Sequence, residues 1–294
     1  NFLKWFHFLR MTDSNILVSQ GVGYLNQRNY QKAVEYFEEA AEQNNTNAMI
    51  LLGNMYYNGN GVEMNYNKAK EYYEHAYELQ DSNGSLRLGN MYYEGKGVEQ
   101  EYLKAKEYYE ISININNNNN AYHNLANIYE KGFGVEKNIQ QAIEYYEKAI
   151  ENGNKISIMK LGLIYLEGKE VEQNYNKAKE YYEQAARLEI PNSYSKLGYI
   201  YSKGKGVEID FIRAKEFFEV GASKNDGESM YNLGNLYFAG LGVDKNISIA
   251  LQLFEKAALN NYSLATYTLA ILYLNGEYFE KNIDLSFQFL TLAA

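Results

Sequence analysis

The chain has 294 residues, 46% of them apolar, with no cysteine and a formal net charge of -9 from 28 basic and 37 acidic side chains. The missing cysteines exclude a disulfide scaffold and any thiolate metal site, and an acidic balance without a basic cluster speaks against a nucleic-acid partner. A mean hydropathy of -0.51 and the absence of an apolar run near about eighteen residues argue against a membrane span.

In Asn1 to Arg10, Phe2, Trp5, Phe6 and Leu9 fall at i, i+3, i+4 and i+7, the spacing of a short amphipathic helix. Residues 1–16 are read as a segment that caps the open face of the first repeat, with membrane-surface attachment or added sequence as alternatives. No continuous apolar stretch followed by a small-residue cleavage site is present, so no secretory signal is read here; the compartment stays open, with the cytoplasm favoured. Residues 17–47 predict one helix pair with a short connection.

From Ala48 the sequence is periodic. Gly53, Gly89, Ala126, Gly162, Gly198, Gly234 and Ala270 recur every 36 residues, with a single step of 37 between Gly89 and Ala126, and Tyr56, Tyr92, Tyr129, Tyr165, Tyr201, Tyr237 and Tyr273 keep the same spacing. Such a period marks an array. Seven repeats are expected over 48–294, at about 48–84, 85–120, 121–155, 156–191, 192–227, 228–261 and 262–294, forming with 17–47 a single solenoid domain.

Each repeat predicts two helices. In the first, helix A, Leu52, Met55 and Tyr56 share a face, and Gly53 beside them admits close approach of a packed helix. The Gly59-x-Gly61-Val62 turn then ends helix A through a left-handed glycine. Asn65, Asn138, Asn174, Asp210, Asn246 and Asn282 stand in register as N-caps of the second helix, helix B, with Glu101 as the exception. Helix B buries Ala69, Tyr72, Tyr73 and Ala76.

Three irregularities interrupt this pattern. Ile111 to Asn120 carries an asparagine run and the extra residue, read as low-complexity drift on a solvated loop. Glu170 replaces the second turn glycine, and Gly276-Glu277-Tyr278-Phe279 keeps little of the turn motif. The apolar ending Leu290 to Ala294 is expected to meet further chain or a partner.

Leu-Gly-x-x-Tyr-x-x-Gly-x-Gly-Val, then Asn/Asp-x-x-Lys-Ala, then Tyr-Tyr-x-x-Ala-Ala resembles the Sel-one-like repeat of the tetratricopeptide-like superfamily. That resemblance implies an all-α, α/α superhelical solenoid whose A helices line a concave side, and an adaptor role in assembling other proteins, alone or as a regulatory or assembly part of a larger complex or polypeptide. Cysteine-rich members have been linked to penicillin binding or hydrolysis, and this chain lacks their cysteines.

No catalytic constellation is found. His7, His75 and His123 are too scattered for a ligand set, and the Gly-x-Gly-Val turns join two helices rather than following a strand as a phosphate cradle would. Neither a metal nor a cofactor is expected.

The candidate partner-binding residues are helix-A positions outside the core: Asn54, Tyr57, Asn90, Tyr93, Asn127, Tyr199, Tyr231, Asn235 and Phe238. Asparagine both donates to and accepts from a peptide backbone, and tyrosine offers a stacking surface. A protein or extended peptide is the expected partner, meeting one repeat per roughly three residues. Because these positions look separate from the core, removing Asn54, Asn90 and Asn127 is expected to weaken binding and leave stability nearly unchanged.

Overall fold

The computed structural model describes residues 2–276, 278 and 282–293, with side chains from Ser14 onward except those of Pro191 and residues 292–293. The described residues form helices joined by turns, with no strand among them. In chain order the helix pairs are α1 (Phe2–Asn26) with α2 (Tyr30–Glu42), α3 (Thr46–Asn58) with α4 (Tyr66–Glu78), α5 (Ser82–Glu94) with α6 (Tyr102–Asn116) and α7 (Asn119–Lys131) with α8 (Ile139–Glu151). They continue as α9 (Lys155–Glu167) with α10 (Tyr175–Arg187), α11 (Pro191–Lys203) with α12 (Phe211–Ser223), α13 (Gly227–Ala239) with α14 (Ile247–Leu259) and α15 (Ser263–Asn275) with α16 (Ile283–Ala293).

The chain divides into two compact units, Asn1–Ser157 and Ile158–Ala294. Within each, a helix A packs on its own helix B, and helix B packs on the next helix A. This is the all-α solenoid architecture of stacked helix pairs expected from the period. The capping role read for residues 1–16 rests on side chains that lie outside the described ones up to Asp13; the backbone from Phe2 is part of α1.

The glycine column seats the buried ring of helix B. A Cβ on Gly53 would stand 2.3 Å from Cε1 of Tyr73, and one on Gly198 2.3 Å from Cε1 of Phe218. Tyr73, Tyr109 and Tyr182 are fully buried on glycine seats, where the absent side chain lets the ring reach the axis of helix A, and Tyr146 is fully buried opposite the small Ala126. A second column lies beside it. Tyr56 stacks on Tyr72 at 5.9 Å under the Lys68 ammonium at 4.9 Å, and Tyr92, Tyr108 and Lys104 repeat the arrangement. The lysine of Lys-Ala thus covers an aromatic face, a cation–π contact.

Turn chemistry follows the sequence closely. Gly59 ends α3 at φ 70 and donates its N–H to the Met55 carbonyl. Gly61, at φ 74, would also place a Cβ 1.9 Å from the Cβ of Tyr30 at the start of α2; this glycine is demanded by backbone and neighbour together. Asn65, Asn138, Asn174, Asp210 and Asn246 each accept the N–H three residues on, while Glu101 makes no such bond. Asn282 accepts the Leu285 N–H at 2.9 Å.

The asparagine run is not a drifting loop. Asn116 ends α6, Asn117 turns the chain at φ 42, and Asn118 caps α7 by accepting the N–H groups of Asn120 and Ala121. Asn118 Nδ2 also donates to Asn83 Oδ1 at 3.3 Å, Asn119 Nδ2 to the Asn152 carbonyl at 3.0 Å, and Asn154 Nδ2 to Asn120 Oδ1 at 2.9 Å. Short amides suit this work because they tolerate the left-handed region, cap helices and bridge neighbours with one side chain.

Candidate functional site

Helix A presents residues that neither its own glycine seat nor the Tyr56-type stack consumes. In the first unit, α3, α5 and α7 bring five of the predicted residues together around two adjoining depressions. Asn54, Tyr57, Tyr73, Arg87, Asn90 and Glu94 line a cavity of about 110 Å³. Asn90, Tyr93, Glu94, Tyr109, Asn124 and Asn127 line another of about 220 Å³. Asn90 and Glu94 stand in both walls, so the two form a continuous surface across successive repeats.

The asparagines are not separate from the core. The hydroxyl of Tyr73 donates to Asn54 Oδ1 at 2.9 Å, and that of Tyr109 to Asn90 Oδ1 at 2.9 Å. The Tyr146 hydroxyl lies within donating distance of two acceptors, Asn127 Oδ1 at 2.7 Å and Glu130 Oε2 at 2.5 Å. Asn90 Oδ1 accepts a further bond from Asn124 Nδ2 at 2.8 Å. The expectation that removing these asparagines leaves stability unchanged is therefore corrected: each accepts from a buried phenol, Asn54 and Asn90 alone among the described residues and Asn127 beside Glu130, and an orphaned phenol is costly. What the amides leave to the surface is narrower than the sequence suggested. Their oxygens are engaged, while Nδ2 of Asn54, Asn90 and Asn127 donates to no described atom.

Tyr57 donates to Glu94 Oε2 at 2.7 Å, and its ring lies under the Lys96 ammonium at 5.1 Å. Lys96 also pairs with Glu94 at 2.8 Å. Burial pushes the Glu94 carboxyl upward, but the hydrogen bonds from Lys96 and Tyr57 outweigh it and hold the group below the usual value. Burial and then the Glu94 bond raise the Tyr57 phenol. Tyr93 packs edge-on against Tyr102 at 5.4 Å and beside Phe133 at 6.0 Å. The arrangement offers amide and phenol donors, a carboxylate already neutralised, and half-buried rings.

The four predicted residues of the second unit do not form one site. Tyr199 lines a cavity of about 360 Å³ with Leu163, Lys196, Lys205 and Glu228, where Lys196 grips both Glu228 oxygens at 2.7 Å. Tyr231 and Phe238 instead pack on the buried Phe254, at 5.4 and 6.3 Å. Asn235 faces a helix B whose seated ring, Phe254, carries no hydroxyl, and its side chain makes no hydrogen bond among the described residues.

Arg87 was missed by the sequence reading. It stands in the wall of the first depression, its Nε is buried without a partner, and its guanidinium makes no ion pair or hydrogen bond among the described residues. Its signal was a charge two residues before the glycine column, which only the fold turns toward Asn54. A larger apolar cavity of about 530 Å³ in the second unit, lined by Leu259, Thr266, Leu269 and Phe289 among others, includes none of the nine predicted residues. His75 is exposed on α4, and His123 Nδ1 lies 2.9 Å from Ser157 Oγ. Among the described residues, no group of three or more histidine, aspartate and glutamate side chains could hold a metal ion, and no helix is long and apolar enough to cross a membrane.

Comparison with known proteins places these features in a family. The Sel1 repeat model matches residues 46–81, 83–117, 119–154, 156–189, 191–226, 227–262 and 263–294, and a tetratricopeptide repeat model matches 14–47. Among solved structures, c5321, a protective antigen present in uropathogenic Escherichia coli strains and displaying an SLR fold, is 27% identical with a TM-score of 0.74. All of the present chain is covered in that alignment, and it spans 64% of the length of c5321. A Sel1 repeat protein from Oxalobacter formigenes is 28% identical with a TM-score of 0.72, over 83% of this chain and 98% of its own. Yeast Tom70, 17% identical with a TM-score of 0.52 over 96% of this chain and 63% of its own, shares the fold. No curated protein sequence matches the chain. Seven consecutive matches, on the helix pairs whose glycine seats and capped turns are described above, show that the chain belongs to the Sel1 repeat family.

Proposed function

We propose that this protein is a non-catalytic interaction scaffold that takes an extended segment of a partner protein along the A-helix face of its first unit. The observation that carries the reading is the pair of adjoining depressions sharing Asn90 and Glu94. They span α3, α5 and α7, so one segment crossing them meets the same register in successive repeats. The unused Nδ2 donors suit main-chain carbonyls, and the half-buried faces of Tyr57 and Tyr93 suit apolar side chains. Family membership supports the same reading, since a solenoid's surface-lining residues vary while its seat and caps are held by packing.

Hydroxyl-radical footprinting with and without an affinity-purified partner tests this. Tyr57 and Tyr93 should become protected, while Tyr267, 53% exposed on α15 of the second unit, should react as before. Unchanged labelling of Tyr57 and Tyr93 in the complex would contradict the proposal.

A further inference from the structure

Which chemical groups the first unit selects follows from what its own side chains have already used. The Tyr73 and Tyr109 hydroxyls donate to the Asn54 and Asn90 oxygens, while Nδ2 of both amides donates to no described atom. Arg87 lines the same depression, with five N–H donors and no acceptor, and its guanidinium has no partner among the described residues. The nearby carboxylate, Glu94, is held by Lys96 at 2.8 Å and by the Tyr57 hydroxyl at 2.7 Å. Charge on this patch is therefore uncompensated at Arg87, and hydrogen-bonding capacity is unfilled on the donor side at three residues.

We infer that the depression formed by Asn54, Arg87 and Asn90 is a carboxylate pocket: the bound segment carries an acidic group there, gripped by Arg87 and flanked by the two amides. This rests on the scaffold reading above and specifies the ligand of that site. A guanidinium binds a carboxylate through paired, charge-assisted hydrogen bonds that a neutral amide of the same shape does not reproduce. The cavity of about 110 Å³ takes the head of one side chain or a chain terminus. Lysine and arginine are disfavoured there, because each would face Arg87 without an unpaired anion.

The test uses the full chain and four pools of fluorescent hexapeptides. Two contain aspartate or glutamate at randomised positions and two contain asparagine or glutamine instead, each made with a free and with an amidated C-terminus. Fluorescence anisotropy should show the acidic or free-terminus pools binding at least about tenfold tighter than the amidated neutral pool. The free and amidated arms distinguish a terminal carboxylate from a side-chain one. Arg87→Gln should remove that preference, Arg87→Lys should retain part of it, and neither should move the thermal transition, since the guanidinium makes no hydrogen bond or ion pair among the described residues.

Equal binding of all pools, with Arg87→Gln silent, would overturn the carboxylate pocket; loss of that equal binding in Tyr57→Ala and Tyr93→Ala would leave the scaffold reading standing. Binding of no pool would overturn both.

Discussion

The Tyr73 hydroxyl donates to Asn54 Oδ1 at 2.9 Å across 19 residues of sequence, and Tyr109 to Asn90 and Tyr146 to Asn127 repeat the bond at the same separation. A surface amide and a core phenol are thus one unit. Replacing Asn54 or Asn90 with alanine should destabilise the chain by about 1–3 kcal/mol each, because a buried hydroxyl loses its acceptor, whereas Asn127→Ala should cost less, because Tyr146 keeps Glu130 as an acceptor. Urea unfolding followed by circular dichroism measures this; unchanged midpoints would mean that the phenols find other partners.

One repeat breaks the pairing and supplies a contrast. Leu163 occupies the asparagine position opposite Tyr182, and the buried Tyr182 hydroxyl has no hydrogen-bond partner among the described residues. Tyr182→Phe should therefore be neutral or stabilising by up to about 1 kcal/mol, whereas Tyr109→Phe should cost roughly 1 kcal/mol. Equal losses in the two variants, compared by thermal denaturation, would remove the distinction.

Glycines divide in a similar way. A Cβ on Gly89 would fall 2.6 Å from Cε1 of Tyr109, whereas one on Gly23, also within a helix, meets nothing within 4 Å. Gly89→Ala should cost about 1–3 kcal/mol through overpacking. Gly23→Ala should gain about 0.4–1 kcal/mol by restricting the unfolded chain. The pair of unfolding midpoints should move in opposite directions.

Alkali should act on the core. Burial raises the Tyr73, Tyr109, Tyr146 and Tyr182 phenols above the ordinary value of 10.0, and the half-buried Tyr72 is pushed up to about 12. A raised folded-state pKa means that the contribution is complete below the unfolded value and is lost as pH climbs above it, since the unfolded chain releases protons that the folded chain keeps. Stability should fall above about pH 10. Phenolate absorbance should rise in two stages, the later coinciding with loss of helical circular dichroism; a single smooth titration with helicity intact would contradict the burial of these rings.

Most of the scaffold was legible because its demands recur at fixed intervals. A ring seat needs a small residue, a left-handed helix exit favours glycine, and a helix start needs a side-chain acceptor, so Gly53, Gly59 and Asn65 announce themselves in each repeat. The exits of helix B were not legible: Asn44, Gln80, Asn117, Glu189, Asn225 and Asn261 all take positive φ, and a column of mixed residue types carries no signature. The Asn54–Tyr73 bond was hidden for another reason. Both columns were visible, but the contact joins two helices, and only their packing angle brings the amide to the phenol. Arg87 escaped because one cation on a varied surface means nothing until its neighbours are known to be donors already.

The central claim, that the A-helix face of the first unit holds the partner, is tested most directly by site-specific photo-cross-linking in the assembled complex. A photoreactive residue at position 57 or 93 should capture the partner, while one at 75 or 107, exposed on α4 and α6, should not. Capture from 75 and 107 with none from 57 and 93 would place the partner on the B-helix face and contradict the account.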